Sequence, residues 1–380
     1  MNLYSRADER TIRVQRLVDD WTKSGLLVPE QRTRMLPEVQ VELRRTNFFL
    51  RATLFVFGYM IVNSLTGLFI VTLNLSEGAT MYLAVFAAVA FFAVAQVLVQ
   101  RYRLYHFGIE ESAAIASVSF FAVAASMAFH PTFSMLQALL AATVGSFVIF
   151  RRFGYVYAGV AATILAALIP FGTEQVDTVR RLLAMAIMLV VFFIARERRQ
   201  DHDWEYPGDG YAVIEAVSWG VLYFVANLKA SSWFASPDEV GLFYWGTYGA
   251  IWILPAIGLF LSICDRHRLL LDVNIGLALA TMLSNKAYLG AEPKPWDPIV
   301  FGVLLITIAI GLRRWLASGE HGGRYGFVAH RLLASEKARL AWAGSATVLA
   351  PGAPPAHTHE PPASIGGGGS SGGAGASGNF

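Results

Sequence analysis

The stretch LRATLFVFGYMIVNSLTGLFIVTL, residues 50–73, decides the fold because it carries no charge after Arg51. A bilayer core of roughly 30 Å is crossed by about 20 apolar residues in a helix that rises about 1.5 Å per residue, so this stretch is long enough to span a membrane. Three basic residues, Arg44, Arg45 and Arg51, lie just before the uncharged run, and Glu77 is the first charge after it. By the positive-inside rule, this asymmetry predicts a cytoplasmic N-terminus.

The composition indicates that most of the chain lies in lipid. Of the 380 residues, 55% are hydrophobic and only 15% are charged, whereas soluble domains carry about 25% charged residues. No basic stretch shows the pattern that nucleic-acid binding requires, so we expect no nucleic-acid partner. Cys264 is the single cysteine, which excludes an intrachain disulfide and a cysteine metal cluster. The charged first 45 residues lack the apolar core of a cleavable signal peptide.

Nine further apolar segments follow the first one with short gaps. They lie near residues 81–99, 112–129, 133–150, 153–171, 182–195, 211–228, 242–263, 272–290 and 298–316. Several contain Gly, Ala and Ser at close spacing, which is typical of helices that pack against helices. The sequence therefore predicts an all-α fold, a polytopic transmembrane bundle of about ten spans.

The charges of the loops test this number of spans. With ten spans and a cytoplasmic N-terminus, eleven basic residues lie on the inside and five on the outside. The inside set is Arg101, Arg103, Arg151, Arg152, Arg196, Arg198, Arg199, Arg266, Arg268, Arg313 and Arg314, and the outside set is Arg180, Arg181, Lys229, Lys286 and Lys294. If the short segment 182–195 did not cross, the count would become seven inside and nine outside. The positive-inside rule therefore favours ten spans, with both termini in the cytoplasm.

The spans divide the chain into four parts. Residues 1–47 form a cytoplasmic helical head, and residues 48–316 form the transmembrane domain. Residues 317–350 are polar and basic, and their second half has the pattern of a short amphipathic helix on the inner membrane surface. Residues 351–380 are rich in Pro, Gly and Ser, so we expect a disordered tail.

The head is predicted to contain two short helices, the first ending at Gly25 and the second beginning at Pro29. One interpretation is a hairpin that docks on a cytoplasmic protein partner or on the membrane surface. The alternative is a helical pair that packs on its own membrane domain. The sequence leaves both open.

The segment LVDDWTKSGLLVPEQRTRMLPEVQ, residues 17–40, comes shortly before the first span. It resembles the N-terminus of a large group of uncharacterised bacterial multi-pass membrane proteins, and the matching residues are Trp21, Gly25, Leu26, Glu30 and Gln31. The Gly/Ser-rich tail is similar to the tails of assorted bacterial envelope membrane proteins. These resemblances imply a bacterial plasma-membrane protein with a helical head, and they imply no activity.

Polar side chains inside the predicted spans are the candidate ligand-binding residues, because such groups are costly in lipid. Asn63, Ser64 and Thr66 lie at the middle of the first span. They fit either a ligand contact in a central cavity or hydrogen bonds to a neighbouring helix. Glu215 is the only acidic residue well inside an apolar segment, about one turn from its cytoplasmic end. It could bind a ligand, or it could reach water or a loop arginine.

A second set of candidates lies near the outer ends of two spans. Ser284, Asn285 and Lys286 form the densest polar cluster inside any predicted span. Lys286 could extend outward to water. Alternatively, Asn285 and Lys286 could line an outward-facing pocket for an anionic group together with Asn227 and Lys229, which are predicted to lie at the same depth.

We find no motif of a known catalytic or metal site. The chain contains no His-Glu-x-x-His, no Gly-x-Ser-x-Gly, no phosphate-binding glycine loop and no pair of membrane aspartates. Glu110 and Glu111 fit charges that stabilise a helix N-terminus. We therefore expect no catalytic residue, no metal and no cofactor, and the favoured function is a non-catalytic scaffold or sensor. The alternatives are a transporter of a small neutral or weakly anionic solute, and an intramembrane enzyme acting on lipid or an envelope precursor.

Overall fold

The computed structural model describes residues 3–23, 25–128, 134–201, 206–230, 241–291, 294, 296–319, 323–324 and 327–328, and these residues form twelve α-helices. In chain order they are α1 (Arg6–Lys23), α2 (Pro29–Met35), α3 (Phe48–Thr72), α4 (Glu77–Tyr102), α5 (Ile109–Ala128), α6 (Ser134–Phe153), α7 (Val156–Leu168), α8 (Asp177–Asp201), α9 (Tyr206–Ala226), α10 (Leu242–Cys264), α11 (Arg268–Tyr288) and α12 (Asp297–Ala317). Strands β1 (Gly323–Arg324) and β2 (Phe327–Val328) pair antiparallel after α12. The predicted helical architecture is confirmed.

Six of the described helices are long and apolar enough to cross a membrane, namely α3, α4, α5, α6, α8 and α10. Each of the ten apolar segments of the sequence falls mainly within one helix from α3 to α12. The short segment 182–195 belongs to α8, a helix of 25 residues. Its length is therefore sufficient for a span. The predicted disordered tail, residues 351–380, lies outside the described residues.

Side chains next to the first helices of the membrane domain fix where those helices begin. The Asn47 side chain accepts a hydrogen bond from the Leu50 amide at 2.8 Å, so it caps α3. Ser76 does the same for α4, accepting from the Ala79 amide at 3.4 Å. At its other end, α4 stops at Arg103, whose φ of 53° lies in the left-handed region.

The membrane helices bury two aromatic-rich clusters and a smaller one. Helices α4 to α9 surround the first cluster, in which Phe153 and Tyr155 are fully buried, and α7 to α11 surround the second, with Phe192 and Tyr223 at its centre. Alanines fill the contact between α4 and α5, as is typical of membrane helices in close approach. Helix α3 packs chiefly on α5 and buries little of its surface.

The head packs on the membrane domain of its own chain. The Leu3 amide donates to the Arg152 carbonyl at 2.9 Å, and the Tyr4 hydroxyl donates to the Leu104 carbonyl at 3.1 Å. The predicted helix boundaries at Gly25 and Pro29 are confirmed. A docking partner for the head stays a prediction.

The loop between α4 and α5 approaches α3 at Gly108, where a side chain would not fit. Its φ is +110°, and a Cβ atom there would lie 2.4 Å from the backbone oxygen of Arg51 and 3.0 Å from the Phe55 nitrogen. Backbone atoms cannot move aside as a flexible side chain can. Gly108 therefore permits the close contact of this loop with the start of α3.

We expect Gly108→Ala to lower the free energy of unfolding by about 2 kcal/mol or more, because it adds a clash and an unfavourable φ. Thermal unfolding in detergent measures the effect. Gly78→Ala is the matched control, since nothing lies within 4 Å of its added Cβ. If Gly78→Ala lowered the free energy of unfolding as much as Gly108→Ala, the close contact at Gly108 would not be the cause.

Candidate functional site

A buried charge cluster lies where α3 and α5 begin. Arg51 donates two hydrogen bonds to Glu111, from Nε to Oε2 at 2.8 Å and from Nη2 to Oε1 at 2.5 Å. His106 Nδ1 lies 2.8 Å from the same Oε1 atom. Both carboxylate oxygens of Glu111 are therefore occupied, and the paired arrangement offsets the cost of burying the two charges.

The neighbouring Glu110 has a different role. Its Oε1 atom accepts a hydrogen bond from the Phe107 amide at 2.7 Å, so it joins the loop before α5 to the first turn of that helix. This agrees with the sequence interpretation of Glu110 as a charge at a helix N-terminus. Its second oxygen is buried and has no hydrogen-bond partner within the described part of the chain.

A cavity of about 290 Å³ opens beside this charge cluster. It is lined by Phe48, Arg51, Ala52, Phe55, Glu111, Ile115 and Tyr157. The Tyr157 hydroxyl is buried without a hydrogen-bond partner among the described residues. The cavity therefore combines apolar walls with a guanidinium group and a hydroxyl donor, a composition typical of small-molecule sites.

Aromatic rings connect this cavity to the head. Tyr157 stacks on Tyr155 with ring centroids 5.4 Å apart, and Tyr155 lies 5.5 Å from the His106 ring. His106 contacts Tyr105 edge-on at 4.5 Å, and Tyr105 contacts Tyr4 in the same way at 4.9 Å. Burial raises the pKa of the Tyr4 and Tyr105 hydroxyls, so both remain neutral at pH 7.

The polar trio of the first span is divided between two faces of α3. Asn63 and Ser64 are exposed, and Asn63 Nδ2 donates to the Tyr59 carbonyl at 2.8 Å. Thr66 is buried and donates to the Val62 carbonyl at 2.9 Å. Both of these bonds stay within α3. A ligand-binding role for the trio stays a prediction.

A line of polar side chains joins α9 to α11, and we call it the polar seam. On α9 it consists of Glu215, Trp219, Tyr223 and Asn227, which recur at every fourth residue and so share one face. All four are buried. The spacing of these four residues is visible in the sequence, but the partners of Trp219 and Tyr223 on another helix are not.

Three members of the polar seam form hydrogen bonds with α11. Trp219 Nε1 donates to Asn274 Oδ1 at 2.9 Å. The Tyr223 hydroxyl lies 2.9 Å from Thr281 Oγ1, and either group can donate. Asn227 Nδ2 donates to Ser284 Oγ at 2.9 Å. The polar groups therefore satisfy one another across the helix interface.

The end of the polar seam at Asn227 contains several predicted site residues. The structure brings Asn227 and Ser284 together, whereas Lys286 donates to both Asp297 oxygens at 2.6 Å. The Asn285 oxygen accepts a hydrogen bond from the Tyr248 hydroxyl at 2.9 Å. Lys286 is thus paired with a carboxylate, and the anion pocket of Asn227, Lys229, Asn285 and Lys286 stays a prediction.

The end of the polar seam at Glu215 is charged. Arg199 Nε donates to Glu215 Oε2 at 2.6 Å, so Glu215 reaches a loop-side arginine as one sequence interpretation proposed. Arg199 and Arg196 both contact Asp265, at 3.3 and 2.9 Å. His267 Nδ1 lies 3.9 Å from Glu215 Oε2, and neither ring nitrogen has a hydrogen-bond partner in the described part of the chain.

His267 lies between α10 and α11 and is neutral at pH 7. Burial, assisted by the charge of Arg199, lowers the pKa of His267 to about 4. The 3.9 Å contact between His267 and Glu215 is therefore not an ion pair at neutral pH. A buried neutral imidazole without partners is costly, and its protonation would be costlier still.

The described residues contain no group of three or more His, Cys, Asp or Glu side chains that could hold a metal ion. No family model, no curated protein and no solved structure matches the chain. The arguments on function therefore rest on the geometry of the cavity, the charge clusters and the polar seam.

We expect acid to destabilise the protein through His267. Its pKa is about 4 in the folded protein and 6.5 in its ordinary state, so the unfolded chain binds the additional proton as pH falls through this interval. Between pH 7 and pH 5 the free energy of unfolding falls by about 2 kcal/mol through this residue. Thermal unfolding of the wild type and of His267→Gln at both pH values measures it. Equal pH dependence in the two proteins would contradict the prediction.

Proposed function

We propose that this chain is a non-catalytic membrane sensor of the bacterial plasma membrane, with ten spans and with both termini in the cytoplasm. The observation that carries the proposal is the cavity with a charged wall of Arg51 and Glu111. His106 connects this wall to the residues that hold the head. The Tyr105 amide donates to the Arg44 carbonyl at 3.0 Å, directly beside His106. A ligand in the cavity would thus act on the attachment of the head.

The chemistry of the cavity supports an amphiphile with a phosphate headgroup, such as a phospholipid of the cytoplasmic leaflet. Phe48, Phe55 and Ile115 provide apolar walls for acyl chains. Arg51 uses two of its five N–H groups on Glu111, which leaves donors for phosphate oxygens. The Tyr157 hydroxyl offers another donor. In the proposed topology the cavity lies at the membrane interface, where such headgroups are found.

The polar seam supports a structural role for the α8–α11 region. Three of its contacts are hydrogen bonds between side chains of α9 and α11. A transport path between these two helices would have to break them. One observation favours a second candidate, an intramembrane enzyme. Glu215 Oε1 and both ring nitrogens of His267 are buried and unpaired in the described part of the chain, as a general acid–base pair would be before substrate binds.

Lipid binding can be measured by the thermal midpoint of the purified chain in detergent. We expect added phosphatidylglycerol to raise the midpoint, and inorganic phosphate or diacylglycerol with the same acyl chains to have little effect. Tyr157→Phe should weaken phosphatidylglycerol binding by about fivefold, because one hydrogen bond is lost. Tyr59→Phe is the matched control, since its hydroxyl faces Ser119 at 3.4 Å.

Hydrogen exchange of the head provides the second readout of the same experiment. Binding should slow amide exchange in the segment around Arg44, which is paired with Tyr105. Equal lipid affinity of Tyr157→Phe and the wild type, together with unchanged exchange, would overturn the sensor proposal. Stabilisation by inorganic phosphate alone would identify the ligand as a free anion.

The proposed ten spans can be tested with the single native cysteine. Cys264 is exposed at the end of α10, and ten spans with a cytoplasmic N-terminus place it inside. We expect a membrane-impermeant maleimide to label it in inverted vesicles and not in intact spheroplasts. In the Cys264→Ser chain, Gly78→Cys should show the opposite result. Labelling of Cys264 from outside would mean that one of the preceding helices does not cross.

A further inference from the structure

Helix α3 is the candidate span that is least covered by its own chain. Only 6% of its most apolar window is buried, compared with 22% to 44% for the other five candidate spans. It contacts the bundle through α5, toward which Thr66 is buried. A neighbouring face of α3 carries Val56, Met60 and Asn63, which are exposed.

Asn63 makes this exposed face unsuitable for lipid. It lies near the middle of a 25-residue apolar helix. Its side chain donates one hydrogen bond to the Tyr59 carbonyl, and its amide oxygen accepts none within the described part of the chain. Acyl chains offer no donor to that oxygen, and an unsatisfied amide in hydrocarbon costs free energy. The described residues therefore leave the amide oxygen open to a partner from another helix.

We propose that α3 packs against α3 of a second copy of this chain, with the two Asn63 side chains hydrogen-bonded across a twofold axis. The primary amide contains both donor and acceptor, so it is complementary to itself when symmetry places it opposite its own copy. A second copy always presents that amide at the same membrane depth. An asparagine in an apolar helix interface is known to fix register and pairing in this way.

The spacing along α3 fits such an interface. Val56, Met60, Asn63 and Gly67 follow one another at intervals of three or four residues and so lie on one face. Within the described part of the chain, nothing lies within 4 Å of a Cβ atom at Gly67, so that position is open to a neighbouring helix. A glycine one turn beyond the asparagine allows the two backbones to approach closely. Arg51 and the cavity beside it lie outside this face, so the inference does not depend on the proposed lipid site.

The dimer is tested with full-length protein in lipid vesicles at several protein-to-lipid ratios, by energy transfer between differently labelled copies. We expect a dimer for the wild type and about a tenfold higher dissociation constant for Asn63→Leu. Thr307→Val is the matched control, because Thr307 is an exposed polar residue of α12 that bonds only to the Val303 carbonyl of its own helix. A monomeric wild type, or equal association of Asn63→Leu and the wild type, would overturn the proposal.

Cysteine crosslinking tests the face independently and does not need Asn63 to be changed. In the Cys264→Ser chain, Met60→Cys and Gly67→Cys should form disulfide-linked dimers in oxidised membranes, whereas Thr66→Cys should not, because Thr66 is buried toward α5. Crosslinking of Thr66→Cys without crosslinking of Met60→Cys would place the contact elsewhere and overturn the proposal.

Discussion

The hydrocarbon core of a bilayer contains no hydrogen-bond partners, and this constraint orders the polar side chains of the whole membrane domain. Trp219 meets Asn274, and Tyr223 meets Thr281, because each of these groups has to be satisfied by another helix. The same requirement explains why Asn63, whose oxygen finds nothing within the described part of its own chain, indicates a contact between copies.

Charged and neutral groups are distributed differently along the helices. Neutral hydrogen bonds join α9 and α11 over most of their common length, while the ion pairs lie toward the ends of spans. Arg51 pairs with Glu111 where α3 and α5 begin, and Lys286 pairs with Asp297 where α11 ends and α12 begins. Burying an ion pair costs more desolvation than burying two neutral partners, so charges lie where headgroups and water are near. The cavity beside Arg51 lies in this region near the ends of the spans.

The helices could be predicted from the sequence because an uncharged run of twenty residues has few other folds available to it in lipid. The individual contacts between side chains could not be predicted from the sequence. Arg51 entered the sequence analysis only as an orientation signal, and Glu111 only as a helix-end charge, since nothing in the chain states that positions 60 residues apart meet. The predicted topology placed Arg51 and Glu111 on the same side of the membrane, and this was the clue that the sequence offered to their contact. For Glu215 the sequence left a ligand, water and an arginine open, and the structure pairs it with Arg199.

The attachment of the head has a consequence for how the protein is made. Leu3 bonds to Arg152, Tyr4 to Leu104, and Arg13 pairs with Asp209, so the head meets partners that are synthesised 100 to 196 residues after it. Until α9 has been synthesised, the residues of α1 that pack on the apolar helices, such as Ile12, lack part of their contacts. The head is thus a late-closing element, and its docking is completed only after helices α3 to α9 have been made.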